Sequence, residues 1–462
     1  MDKRLLRRLF EKQNPIPFRD TTLHTYTKGY WTVQPFLIGI PYKYYYSKYE
    51  VAGWEQVPTD KPVIFAISHR NAFMDSLAFV NCKGTQVWQL ARGDAFNNPM
   101  MKKLFIFFHM LPLWRERDGV DTKNMNQPTF EACADILYNN GMVGIYPEGN
   151  CINEEHIRPL KKGICRIAFL AAEKYQFQPD IHIIPVGVMY SGAEKFKHTQ
   201  LLNFGKPILL KEYYEQYRSA PAQTINILKD DIEKAMKETA THVPHGTFHH
   251  DIVELSKMHA RETLLNNNIP VTPLNSFNEE KVISAKLDAY QHSDHEGMKR
   301  LVQNLHNYKR IRNQHNLKEN TFDKSRSHTF SMVFMALYFL LMFPVYIYGA
   351  IINYLPYKFP QQFVEKKIKQ KIFWSSAKYV ISLFLFPIYY LILFIITWTV
   401  LGSIVSGLIF LFSFPISGNI AYYYYFDFKK WLSALRFKRL PEHEKAALIQ
   451  ARDSVYQNLA SL

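Results

Sequence analysis

Residues 62–75, Pro62-Val-Ile-Phe-Ala-Ile-Ser-His69-Arg-Asn-Ala-Phe-Met-Asp75, run a continuous apolar stretch straight into a polar turn that holds a histidine and an aspartate. Apolar residues at every position, rather than every second one, read as a strand covered on both faces. Such a strand belongs to a sheet between helices, and its end is where α/β folds expose reacting groups. His69 and Asp75 stand six positions apart, whereas helix neighbours fall three or four apart, so the two meet only across a bent turn. The chemical reading is a histidine base oriented by a carboxylate, able to take a proton from a hydroxyl near neutral pH. The plain reading is a surface histidine beside a capping aspartate. These residues alone leave both open.

Outward from this turn, short β-rich runs alternate with helical stretches over about residues 50–240. The strand candidates are Val63–Ile67, Gln86–Leu90, Leu111–Trp114, Met142–Tyr146 and His182–Val188, with Thr129–Tyr138 and Gly163–Lys174 as helices between them. That alternation specifies an α/β sheet. Residues 241–328 read as a polar helical insert rich in His, Asn, Glu and Lys.

Three further segments could carry chemistry. Leu111-Pro-Leu-Trp-Arg115-Glu-Arg117-Asp-Gly119 ends a strand candidate with two arginines, whose planar forks suit phosphate or carboxylate. Val143-Gly-Ile-Tyr-Pro147-Glu148-Gly149-Asn150 leaves a strand sharply, and Lys161-Lys162-Gly163 then precedes an apolar helix. Cations are unfavourable at that end of a helix unless an anion joins them. Ile183-Ile-Pro185-Val186-Gly187 is a buried-type strand interrupted by Pro and Gly. It suits either scaffolding or a groove wall. His242, His245, His249, His250 and Asp251 match no established zinc spacing and read as a polar helix start, so no metal is expected. The cysteines Cys82, Cys133, Cys151 and Cys165 show no paired spacing, which suits a reducing compartment.

The net charge of +16 favours polyanionic partners, and 15% aromatic content with long uncharged runs selects a membrane among them. No nucleic-acid motif is present, and nucleic acid is not an expected partner. No charge occurs in 329–357 or in 379–426, and about 20 apolar residues cross a bilayer as helix. The basic linker 358–378, the region before Thr329 and the basic helical tail 427–462 all want the cytoplasmic side. A two-span hairpin over 379–426 with a re-entrant or in-plane first segment, broken at Pro344, satisfies this. Three full spans are the alternative. Residues 1–49, opening MDKRLLRRLFEKQ, read as a basic and aromatic membrane-surface segment with no signal-peptide core.

In order and separation, the four blocks resemble those of the glycerol-phosphate and lysophosphatidate acyltransferase superfamily. The likeness covers about residues 50–215, from Val51-Ala-Gly53-Trp to Phe204-Gly205-Lys206-Pro207. The family commonly has four residues between its His and Asp. This chain has five, which is similar to the fungal glycerol-3-phosphate and dihydroxyacetone-phosphate acyltransferase branch. Two departures stand out: the usual Asn before the histidine is Ser68, and a glycine of the second block aligns with His109.

The resemblance implies an acyltransferase domain, a mixed sheet flanked by helices, carrying a helical insert and C-terminal transmembrane helices. It implies His69 as general base with Asp75, and Arg115, or Arg117 in a shifted register, as phosphate ligand. Glu148 and Gly149, with Lys161 and Lys162, would bind the acceptor, and Pro185 would line the groove. The reaction implied is transfer of a fatty acyl group from acyl-coenzyme A or acyl carrier protein to glycerol-3-phosphate or lysophosphatidate, without a cofactor. Its partners are membrane lipids, and its catalytic domain faces the cytoplasm. Another lysolipid acceptor, such as an amino-acid-headed one, or a non-catalytic lipid-binding role on the same fold are the competing expectations.

Overall fold

Strands covered on both faces need helices above and below them, and the chain supplies these in alternation. The computed structural model describes residues 13–82, 86–322, 329–460 and 462, so the basic stretch 1–12 lies outside the described residues. A short hairpin, β1 (Ile16–Phe18) and β2 (Thr21–Leu23), leads to helices α1 (Lys28–Gln34) and α2 (Ile40–Tyr45). Then follow β3 (Lys48–Ala52), β4 (Val63–Ile67), α3 (Phe73–Val80), β5 (Trp88–Arg92), α4 (Pro99–Phe107), β6 (Met110–Leu113), α5 (Thr122–Tyr138), β7 (Met142–Ile145) and α6 (Gly163–Lys174). The series closes with β8 (His182–Tyr190), β9 (Thr199–Phe204), β10 (Ile208–Leu209), α7 (Tyr214–Ser219) and α8 (Pro221–Thr239).

The strands form one mixed sheet in the order β3-β9-β8-β4-β7-β5-β6, with β10 beside β8. Strands β4 to β8 run parallel to one another, while β9 and β10 pair antiparallel with β8. The C-terminal ends of five strands therefore share one edge. On one face Ile64, Ala66, Val143 and Ile145 pack against Ile136 of α5 and Ile164, Ala168 and Phe169 of α6. On the other, Phe65 meets Phe79 of α3 and Phe204 at ring-centroid distances of 5.3 and 5.8 Å. Every residue of β4 is buried, as its unbroken apolar pattern requires. Ile16, Phe18 and Leu23 lie in the same core, so residues 16–23 of the N-terminal segment are part of the sheet unit; Phe36, Leu37 and Ile40 farther on are exposed.

The chain divides into two compact units, Met1–His245 with Ala260–Lys281 and Gln370–Ser376, and Gly246–His259 with Val282–Lys369 and Ala377–Leu462. The insert forms helices α9 (His249–Asn266), α10 (Pro273–Ser293) and α11 (His295–Gln314). Next come α12 (Thr329–Lys367), α13 (Trp374–Leu401), α14 (Ile404–Arg439) and α15 (Glu442–Ala460). Among the described residues, three helices, over Met332–Lys367, Lys371–Leu401 and Ile404–Arg439, are long and apolar enough to cross a membrane. Their side chains Leu340, Ile351, Val400 and Phe412 are exposed, as lipid-facing residues would be.

Helices α13 and α14 form a hairpin: Gly407 lies against Phe394 and Trp398, and Tyr390 meets Phe414. Helix α12 enters this hairpin from its open end. Trp431 Nε1 donates to Met332 O, the Tyr424 hydroxyl to Phe339 O, and Asn353 Nδ2 to Phe414 O. Farther along, Tyr357 meets Tyr422, and Glu365 pairs with Lys378 at 3.2 Å. The expected break at Pro344 is absent, because the helix absorbs that proline as membrane helices can.

Candidate active site

The shared edge of the sheet gathers what the sequence singled out. Ile67 pairs with Val186, Ala66 with Ile145, and Arg92 with Leu113, so the turns after β4, β7 and β6 emerge along the same edge. These turns carry His69, Glu148 and Arg115 respectively.

The turn after β4 is bent as its spacing demands. Ala72 takes φ 44°, ψ −126°, a conformation that L residues rarely adopt, immediately before α3. That kink brings Asp75, in the first turn of α3, back beneath His69, and Asp75 Oδ2 lies 2.8 Å from His69 Nδ1. The same oxygen accepts the backbone N–H groups of Arg70 (2.9 Å) and Asn71 (2.8 Å), while Oδ1 accepts the Tyr190 hydroxyl at 2.5 Å. Asp75 is fully buried, yet both its oxygens are satisfied, and the helix N-terminus favours its negative charge. His69 keeps about a fifth of its side chain exposed, 21%. Its ring packs on Tyr146, with centroids 4.3 Å apart, and the Tyr146 hydroxyl donates to Gln89 Oε1 at 2.7 Å.

Glu148 lies under this turn. Its Oε1 accepts the backbone N–H of His69 at 3.0 Å, and its Oε2 accepts Arg158 N (3.2 Å) and Nε (3.1 Å). The carboxylate is buried and occupied, so it holds the turn instead of facing an acceptor. Gly149 takes φ 71°, a left-handed conformation suited to glycine, and a Cβ there would press on Lys161 at 3.3 Å. Lys161 donates its backbone N–H to Pro147 O at 2.7 Å and, like Lys162 at the start of α6, exposes its side chain.

His69, Asp75 and Cys151 offer ligand atoms within 4.8 Å of one another. Asp75 Oδ2 is already filled by three N–H groups, and Cys151 Sγ accepts Ala72 N at 2.9 Å. Burial pushes the Cys151 thiol up, which keeps it protonated. The cluster is a hydrogen-bonded turn whose acceptors are in use.

Arg115 stands three strand steps from β4, about 14 Å along the edge. Its guanidinium is forked onto Asp118 through Nε (3.3 Å) and NH2 (2.8 Å), and Arg117 is exposed. Pro185 is buried, and the chain closes over it: a Cβ at Gly205 would lie 2.8 Å from Pro185 and 2.6 Å from Thr239 of α8. The expected groove wall is therefore interior scaffold.

Residues 48–189 match the family model described as Acyltransferase. This stretch is an acyltransferase-family domain. Two curated relatives from Saccharomyces cerevisiae match within it: glycerol-3-phosphate O-acyltransferase 2, 29% identical over 120 residues, and glycerol-3-phosphate O-acyltransferase 1, 30% identical over 106 residues. These alignments take in 26% and 22% of this chain but only 16% and 14% of the relatives' own lengths. A crystal structure of the 1-acyl-sn-glycerophosphate acyltransferase of Thermotoga maritima aligns at a TM-score of 0.32 with 14% identity, covering 44% of this chain and 78% of that one. So loose a superposition assigns no residue a role.

Both departures of the acyltransferase domain from the family pattern have a physical account. Ser68 is buried with its Oγ accepting Val188 N at 2.8 Å, which ties β4 to β8 and leaves the hydroxyl away from any acceptor. His109 takes φ 55°, the left-handed region where glycine is at ease. Its ring stacks between Tyr30 and Trp88, at 4.7 and 4.4 Å, and Nε2 reaches Thr27 Oγ1 at 3.2 Å. The supports of Asp75 and His69, namely Tyr190, Tyr146, Cys151 and Arg158, were not singled out from sequence. The signals on offer were the place of Tyr146 inside the third block, directly before Pro147 and Glu148, and that of Tyr190 just beyond the fourth.

Proposed function

We propose that this chain transfers a fatty acyl group from a thioester, acyl-coenzyme A or acyl carrier protein, to a hydroxyl of glycerol-3-phosphate or a related phosphorylated acceptor, with His69 as general base. The observation that carries this reading is the 2.8 Å contact of His69 Nδ1 with Asp75 Oδ2. An ionised carboxylate can only accept, so Nδ1 carries the proton and Nε2 is left as the basic nitrogen. Nε2 takes the proton of the acceptor hydroxyl as its oxygen attacks the thioester carbonyl. Asp75 steadies the resulting imidazolium. Collapse of the tetrahedral adduct breaks the C–S bond, and His69 returns its proton to the leaving thiolate. No acyl-enzyme is needed, since Ser68 is committed to Val188 and Cys151 is a protonated thiol.

The acceptor phosphate would be held by cations along the edge, Lys161, Lys162, Arg115 and Arg117, which lends the hydroxyl its orientation. The α13–α14 hairpin sets the basic flanks Lys366, Lys367 and Lys378 and the basic end of α14 at its open end. By the positive-inside rule that end is cytoplasmic, and the catalytic unit is assigned to the same side.

The test is transfer of a labelled acyl group in membranes containing the full chain, against glycerol-3-phosphate, lysophosphatidate and amino-acid-headed lysolipids. Product with a phosphorylated acceptor from wild type, and none from His69→Ala, is expected. Equal product from both ends the assignment of His69.

A further inference from the structure

Behind Asp75 runs a buried polar chain that the reaction as described does not use. Tyr190, at the end of β8, donates to Asp75 Oδ1. Gln200 of β9 donates its Nε2 to the Tyr190 oxygen at 2.9 Å, and Gln200 Oε1 lies 2.6 Å from the hydroxyl of Tyr42 on α2. Gln200 and Tyr42 are fully buried, and Tyr190 is nearly so at 6%. The polarity of the chain follows from its donors. Because the Gln200 amide N–H occupies the phenol oxygen, the phenol's own proton must point at Asp75.

We propose that Tyr190 is a positioning residue for the reaction: oriented from behind by Gln200 and Tyr42, its hydroxyl fixes the second oxygen of Asp75 and so holds the His69–Asp75 pair with Nε2 of His69 free to act as base. This rests on the reading of His69 and Asp75 given above. Without Tyr190, Asp75 keeps only donors on Oδ2 and one buried lone-pair oxygen unsatisfied. The carboxylate can then rotate, and its charge, less shared, binds a protonated His69 more strongly. Three strands and two helices contribute to this arrangement, so it is a consequence of the fold and not of the turn alone.

The ionisable groups facing Asp75 are few. They are His69 on its own turn, Tyr190 from β8, Tyr42 and Tyr46 from the end of α2, Tyr146 beyond β7 and Cys151 from the loop that follows. Burial holds the four phenols and the thiol well above their ordinary ranges, so none of them ionises near neutrality. His69 is then the group whose titration reports a change at Asp75.

The experiment compares wild type, Tyr190→Phe and His69→Ala as full chains in membranes. The pH dependence of His69 carbethoxylation by diethylpyrocarbonate is followed by peptide mass spectrometry, alongside acyl transfer from a long-chain acyl-coenzyme A to glycerol-3-phosphate. Tyr190→Phe is expected to raise the midpoint of His69 reactivity by about half a pH unit or more. It is also expected to lower kcat about tenfold while the acceptor KM changes less than about twofold. A residue that only packs would leave the midpoint where it is, and an unchanged midpoint overturns the proposal. Transfer by His69→Ala at the wild-type rate would instead overturn the reading of the site, with the carbethoxylation midpoint still deciding the role of Tyr190. Should Tyr190→Phe fail to accumulate, Gln200→Leu removes the orienting amide. A smaller upward shift is expected there, and none would again overturn the proposal.

Discussion

Glu148 Oε1 accepts the backbone N–H of His69 at 3.0 Å, so a carboxylate from the loop after β7 holds the histidine turn after β4. The other oxygen is taken by Arg158. Glu148→Gln preserves size and one acceptor but removes the charge that faces Arg158. A loss of about 1–3 kcal/mol in stability is expected from the weakened buried pair. The turn is expected to loosen as well, lowering kcat about tenfold or more with the acceptor KM little changed. Steady-state kinetics separates this from direct substrate contact: a raised KM at constant kcat would place Glu148 on the acceptor.

The cations along the edge are not equivalent. Lys161 leaves the loop next to His69, one strand away from β4, whereas Arg115 lies three strands away and is already forked onto Asp118. Lys161→Ala is therefore expected to raise the KM for a phosphorylated acceptor by about tenfold or more, the loss of one charge-assisted contact. Arg115→Ala is expected to have the smaller effect. The reverse ranking would mean that Arg115 leaves Asp118 to reach the phosphate.

Strands β4 to β8 were legible as short β-rich runs between helical stretches, and β4 spans Val63–Ile67 just as its pattern reads. The edge that carries the site followed from parallel strand order. Long-range pairings were not legible. Nothing local to Glu148 says that its partner is the amide of His69, 79 positions earlier, or that Tyr190 reaches Asp75 across 115 positions. Strand β9 escaped notice for a related reason: Thr199–Phe204 alternates with polar residues that are satisfied inside, such as Gln200. The contacts of α12 with α14 are likewise not encoded in proline spacing.

The α13–α14 hairpin predicts where the membrane unit can be reached. Its open end lies near Trp431 and Lys378, while Gly402 caps the closed end. Single cysteines at Lys369 and at Lys438 are expected to react with a membrane-impermeant maleimide from the same side of sealed vesicles, and one at Gly402 only from the opposite side. Labelling of positions 369 and 438 from opposite sides would mean that α13 and α14 do not form a hairpin across the bilayer.

His109 makes stability depend on acid in a defined window. Burial between Tyr30 and Trp88 drives its pKa down to about 3 from an ordinary 6.5. The folded chain thus keeps the imidazole neutral at a pH where the unfolded chain already binds a proton. Above the unfolded value neither state is protonated and the group contributes no slope. Between that value and about 3 the unfolded state binds more protons, so stability falls as pH falls, by at most about 1.4 kcal/mol per pH unit for one such group. His242, lowered to about 4 chiefly by burial, adds a slope of the same sign. His109→Phe keeps an aromatic ring in the slot but cannot take up the proton. Its thermal midpoint in detergent at neutral pH is expected to fall modestly, since Thr27 loses its partner and the left-handed backbone remains strained. Between pH 7 and pH 5, however, the midpoint of the variant should drop less than that of wild type. Parallel losses in the two chains would mean that the acid sensitivity arises elsewhere, with His242 the first group to replace.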